Sequence, residues 1–179
     1  MYENGKLAEA KYFYSRMFTD FDDRERFNYN LSAFLSSARS VLQYALEEAK
    51  TKTGGQQWYD NHMAGSSVLS FFKDKRDINI HSEPVKPVQH IHVTATATVH
   101  LSASVSVTHT DASGNILYQS PPETPKPELK KSDTPAVVMS RYVFTDWTGG
   151  QDVMALSQMY LDELDRVVKD GIHKGFLTG

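Results

Sequence analysis

The chain has no cysteine among its 179 residues. That excludes disulfides, a thiolate nucleophile and Cys-ligated zinc or iron–sulfur centres. It has no surplus of positive charge either. Lys plus Arg number 19 against 22 Asp plus Glu, a formal net charge of −3, which excludes coating nucleic acid through bulk charge but leaves room for a local basic site. No run approaches the 18 or so apolar residues of a membrane span, and the opening MYENGKLAEAK lacks the apolar stretch of a signal peptide. Gly54-Gly55 and Gly149-Gly150 lack the pattern of a phosphate-binding loop and read as helix punctuation. What remains is a hydrophobic fraction of 40%, enough for one core. The expectation is a single cytoplasmic domain over residues 1–179.

The first part, 1–83, reads as helix. Phe27, Leu31, Phe34, Leu35, Ala38, Val41, Leu42 and Ala45 recur in steps of three and four after an acidic run ending at Asp23, which puts them on one face of a long helix. A weaker preceding helix, Lys6 to Met17, carries Leu7, Ala10, Phe13 and Met17. From Gln56 a further helical stretch runs to about Ser82, with a bend expected near Gly65-Ser66-Ser67. Glu83-Pro84 ends it, because a residue before proline is disfavoured in the α region.

The middle, 89–144, changes period. Apolar Ile91, Val93, Ala95, Ala97, Val99, Leu101, Ala103, Val105 and Val107 alternate with polar neighbours, the pattern of β structure with one covered and one wet face. Asp111 to Asn115 signals a turn, and Ile116-Leu117-Tyr118 should return as a hairpin partner. Pro121 to Pro135 reads as a loop, and Ala136 to Phe144 as a third strand. So long a strand is hazardous as a free edge, so it should pair within a sheet or across a dimer, or bend onto the bundle. The end, 151–175, is helical again through Val153, Leu156, Tyr160, Leu164 and Val167. Thr148 and Gln151 resemble a capping box, and Gly175 suits a terminator. The fold class read from these patterns is α+β: an antiparallel helical bundle with an inserted antiparallel β hairpin or three-stranded sheet.

One stretch carries residues suited to chemistry: Lys73-Asp74-Lys75-Arg76-Asp77-Ile78-Asn79-Ile80-His81. Arg76 offers a permanent cation with a planar donor fork for phosphate oxygens. His81 is the side chain best able to exchange a proton near neutrality. Asp77, four residues earlier, shares a helical face with His81 and could orient its ring. Asn79 lies one turn from Arg76 and joins them as a supporting residue. These groups suit metal-free phosphodiester cleavage: the histidine moves protons at the ribose 2′-OH or the leaving oxygen, and the arginine holds charge on phosphate. Arg76 and His81 are nevertheless roughly 140° apart on an ideal helix. Unwinding at the helix end, or a two-fold dimer, would be needed to bring such groups to one phosphate. From spacing alone the plainer reading is favoured, with cations near helix C-terminal carbonyls and Asp77 paired with Lys73.

Arg76-x4-His81, with Asp77 directly after the arginine and Ile78 and Ile80 between, resembles the Arg-x(4–6)-His motif of HEPN domains. The upstream FNYNLSAFLSSARSVLQYALEEA resembles the long core helix of bacterial members, and Trp58-Tyr59 and Phe71-Phe72 fall in fitting places. The likeness spans roughly Phe27 to Val85. It implies a helical bundle that forms a homodimer, with the two motifs facing each other across a cleft and Arg76 and His81 as catalytic positions. Asp77 carries over as the polar motif residue. The implied activity is metal-independent endoribonuclease action on RNA in a toxin or phage-defence setting, with no cofactor and with an antitoxin or other protein as a partner. Other HEPN members are non-catalytic. The alternative is therefore a protein- or nucleotide-binding module that works through the β segment, where the chain departs from the all-helical pattern.

Other candidates weigh less. His90 and His92 could supply two metal ligands, but His100 would lie roughly 26 Å beyond His92 on an extended strand, so a solvated strand face is the better reading. Lys126, Lys130 and Lys131 form a basic loop diluted by Glu123, Glu128 and Asp133. Ser36, Ser37 and Ser40 face no identifiable base. Trp58, Tyr59 and Trp147 could stack on bases, although packing is the commoner use of such rings.

Overall fold

Asp23 separates the first two helices, α1 (Tyr2–Thr19) and α2 (Arg24–Ala49). Its backbone is extended, and its carboxylate accepts from the N–H groups of Glu25 and Arg26, which satisfies two donors that the first helical turn leaves free. The structure, a computed structural model, describes residues 2–94, 106–121 and 136–178. The apolar stripe expected on α2 is buried in full, with Ser37 and Ala49 added to it. Against it α1 lays Leu7, Ala10 and Met17, with Phe13 half-buried beside them.

α2 leaves its path at two glycines. Gly54 adopts φ +82°, a left-handed conformation, and a Cβ on Gly55 would sit 1.9 Å from the Ala49 carbonyl oxygen. Only glycine fits at either position. The chain then forms α3 (Gly55–Gly65) and α4 (Ser67–His81). The bend expected near Gly65 is a full interruption: Ser66 is extended, and its hydroxyl accepts from the Leu69 N–H, capping α4. The final helix, α5 (Val153–His173), is capped by Asp152, which accepts from the Ala155 N–H at 2.8 Å. The capping box expected from Thr148 and Gln151 is not used. Gln151 instead accepts from the Trp147 indole N–H at 2.9 Å, and Asp152, one residue before the helix, holds the position from which a side chain reaches the first turn. Gly175, at φ +76°, lies just past the helix end as expected.

Three rings lock α2, α4 and α5 together. Phe72 stacks on Tyr160 with centroids 4.4 Å apart and planes 1° from parallel, and Phe34 meets both rings edge-on. All three are fully buried, each stabilising the fold by about 1.5–3 kcal/mol through burial. Trp58 ties α3 to α5: its indole donates to Asp170 at 2.7 Å while its face stacks on Phe176.

The fold class is α+β: among the described residues, five helices and two two-stranded sheets. β1 (Val88–Thr94) pairs with β4 (Val137–Val143), and β2 (Thr108–Thr110) pairs antiparallel with β3 (Ile116–Gln119). The β2–β3 hairpin turns where the sequence signals it, with Asp111 accepting from the N–H groups of Ser113 and Asn115. The chain divides into two compact units, residues 1–91 with 140–179, and residues 92–139. In the first, Tyr142 of β4 is buried face-to-face on Phe27 at 3.9 Å and donates to the Phe21 carbonyl.

The expected covered face of the β segment is corrected in its described part. Ile91, Val93 and Val107 are all at least half exposed. A two-stranded ribbon supplies no layer of its own to cover an apolar row. Residues 95–105, which hold most of the alternating run together with His100, and residues 122–135, with Lys126, Lys130 and Lys131, lie outside the described residues.

Candidate functional site

Leu69, Phe72, Arg76 and Asn79 fall at steps of three, four and three along α4, so they form one line on the helix. Leu69 and Phe72 are fully buried, and the Asn79 amide donates to Ser32 Oγ of α2 at 2.8 Å. The line therefore faces α2, and Arg76 sits where the apolar contact gives way to a polar one. Its side chain is mostly covered, with Nε buried and without a hydrogen-bond partner. Its Nη1 donates to Asp77 Oδ1 at 3.2 Å.

Asp77 makes ion pairs with Arg76 and, at 3.9 Å, with Lys73. It makes no hydrogen bond to His81, so the ring-orienting contact expected from their spacing is absent here. A neighbouring guanidinium draws a carboxylate more strongly than an imidazole one turn away does. The plainer expectation, Asp77 near Lys73, is met. His81 is exposed and has no hydrogen-bond or ion-pair partner among the described residues.

The helix is intact to its last residue. His81 is helical, and the N–H groups of Ser82 and Glu83 both donate to the Ile78 carbonyl. Unwinding does not swing His81 toward Arg76, and within one chain the pair keep the roughly 140° separation of ideal helix geometry. Of the two arrangements that could join such groups, pairing of two chains remains. Asn79 has a distinct role. Its Nδ2 binds Ser32, and its Oδ1 accepts from the Val85 N–H at 3.0 Å. The side chain thus fixes the segment leaving α4, immediately after His81.

Charge around the motif is largely engaged. Lys75 is only 12% exposed, pairs with Asp146 at 2.7 Å and lies over the rings of Phe71 and Phe144. Next to the motif, sequence reasoning missed a cleft of about 650 Å3 between the start of α2 and the segment after α4, lined by Arg24, Tyr29, Asn79 and Lys86 among others. Its two walls, residues 24–32 and 79–86, are far apart in the chain, and no local pattern marks them.

The remaining candidates fall to packing or surface. His90 and His92 are exposed on β1. Ser36, Ser37 and Ser40 donate back to the carbonyls of Ser32, Ala33 and Ser36 in their own helix. Trp58 and Tyr59 are buried, and Trp147 packs on Phe71. Among the described residues no group of three or more His, Asp and Glu side chains could hold a metal ion, and no helix is long and apolar enough to cross a membrane. No protein-family model, curated protein or solved structure matches the chain.

Proposed function

We propose that the chain is a metal-independent endoribonuclease of the HEPN type, acting on RNA as a homodimer in a toxin or phage-defence setting in the cytoplasm, with an antitoxin as a protein partner. The observation that carries this reading is the contrast between two residues of one helix. Among the described residues, His81 is an exposed imidazole with no partner, and Arg76, five positions earlier, is a guanidinium whose only ion pair is with its neighbour Asp77. In the dimer, Arg76 holds phosphate charge and His81 takes or gives the proton at the ribose or leaving oxygen. Two-fold pairing answers the angular separation, since the cleft then contains a copy of each group from both subunits.

The test compares wild type, Arg76→Ala and His81→Ala on mixed cellular RNA with chelator present. Cleavage by wild type and a loss of a hundredfold or more in each variant supports the reading. Equal cleavage by all three, or none by wild type, rejects it.

One observation favours a second reading, a non-catalytic binding module. Ile91, Val93, Leu117, Tyr118, Val138 and Met139 are all more than half exposed on the strands, an unusual density of apolar surface for short ribbons. A partner laid along these strands would cover it. Binding of a partner that is lost in Leu117→Asp and Val138→Asp, with RNA untouched by wild type, would establish that function instead.

A further inference from the structure

We infer that the cleft between the start of α2 and the segment Pro84–Lys86 is a nucleotide-binding subsite, in which a base stacks on Tyr29 while Arg24 and Lys86 hold its phosphate. The inference deepens the ribonuclease reading, on which it rests for the class of ligand. Four observations carry it. The cleft, about 650 Å3, falls within the size range of small-ligand sites. Its aromatic lining residue, Tyr29, is 64% exposed, and its hydroxyl donates to Glu25 one turn away at 2.6 Å. That bond restrains the ring without covering its faces.

The third observation concerns charge. Most basic side chains on the helices of this protein sit beside a carboxylate, among them Arg16 with Asp20, Arg26 with Asp23 and Lys174 with Asp170. Arg24 and Lys86 both line the cleft and neither makes an ion pair among the described residues, while the carboxylate that also lines it, Glu25, is engaged by the Tyr29 hydroxyl. An anion is the complement such a pair of cations lacks. The fourth is position. Asn79, which lines the cleft, stands two residues before His81, and Pro84, which also lines it, stands three after. The double hydrogen bond of Asn79 to Ser32 and Val85 holds both walls in place. An aromatic platform beside unpaired cations is a general way to hold a single-stranded nucleotide, and it tolerates any base because every base has a π face.

The experiment measures binding apart from cleavage. A labelled 2′-O-methyl oligoribonucleotide, which has no free 2′-OH to attack the phosphate, is titrated by fluorescence anisotropy, with AMP as competitor. Tyr29→Ala should weaken binding about tenfold and Tyr29→Phe should retain it. Arg24→Ala and Lys86→Ala should each flatten the logarithmic salt dependence by about 0.7, whereas Lys169→Ala, a surface lysine of α5, should not. Displacement by AMP assigns the subsite to a single nucleotide, and binding of the oligomer without displacement assigns it to a strand. Either result supports the inference. Wild-type binding by Tyr29→Ala, equal losses in Lys169→Ala and Arg24→Ala, or no binding of either ligand overturns it.

The two proposals fail separately. Cleavage lost in Arg76→Ala and His81→Ala, with Tyr29→Ala binding normally, removes the subsite and keeps the ribonuclease. Binding lost in Tyr29→Ala, with no cleavage by wild type, removes the ribonuclease and keeps the subsite.

Discussion

Asn79 and Ser32 join α4 to α2 through a hydrogen bond of 2.8 Å, amide to hydroxyl, and the same amide accepts from the Val85 N–H. One side chain thereby spans a helix, its neighbour and the segment that follows His81. Asn79→Ala leaves both partners without it and should lower stability by about 1–3 kcal/mol. Urea denaturation measures the loss. If His81 acts on RNA, the same variant should reduce kcat without moving the pH profile, since Asn79 positions the segment and carries no proton.

Asp170 should govern acid stability. Burial alone would raise its pKa, but hydrogen bonds from Trp58, His62 and Lys174 outweigh that cost and hold its carboxyl well below the usual range. A depressed folded-state pKa contributes stability above the unfolded value of about 4, and the contribution drains away as pH falls from there through the folded value. Asp170→Asn should therefore cost about 1–2 kcal/mol at pH 7, at the low end for a charged hydrogen-bond hub because the side chain is partly exposed. The gap from wild type should narrow as denaturation is repeated below pH 4. A gap that stays constant down to pH 2 would contradict the assignment.

Tyr160 presents the opposite case. Its hydroxyl is buried with no hydrogen-bond partner, and burial pushes its pKa well up. Tyr160→Phe keeps the ring stacked on Phe72 and removes an unsatisfied polar atom. The variant should melt at the same temperature or higher, by up to about 1 kcal/mol in stability. Phe72→Ala, by contrast, should cost about 3–5 kcal/mol.

Lys75 should act as a clasp between α4 and the segment after β4. Its ammonium pairs with Asp146 and lies over Phe71 and Phe144 at 5.3 and 5.0 Å. Lys75→Ala should lower stability by about 1–2 kcal/mol. Lys75→Arg should recover part of it. Thermal melts of the two variants check this.

Much of the helical architecture was legible in advance. The buried residues of α2 and α5 follow the sequence periodicity closely because an amphipathic helix writes its own contact face at steps of three and four. The turn at Asp111 to Asn115 was equally legible, since its hydrogen bonds are local. The cap of α5 was misread: two side chains of suitable type stood nearby, and only the geometry chose Asp152 over Thr148. In its described part the β segment lacks the expected covered face, Ile91, Val93 and Val107 being at least half exposed, because alternation reports which residues could be buried and not whether anything lies over them.

The candidate site divides along the same line. Composition and spacing alone put Arg76, Asp77 and His81 on one helix, and local chemistry alone suggested what each could do. Asp77 pairs within its own helix, with Lys73 as spacing favoured and with its neighbour Arg76, whereas tertiary structure decided that Asn79 is a bracket to α2 and that Arg24, Tyr29 and Lys86 share one cleft. Helix formation depends on neighbours within a few residues, so it is written in short stretches of chain. Which polar groups meet depends on how separate stretches pack, and that information belongs to no single stretch.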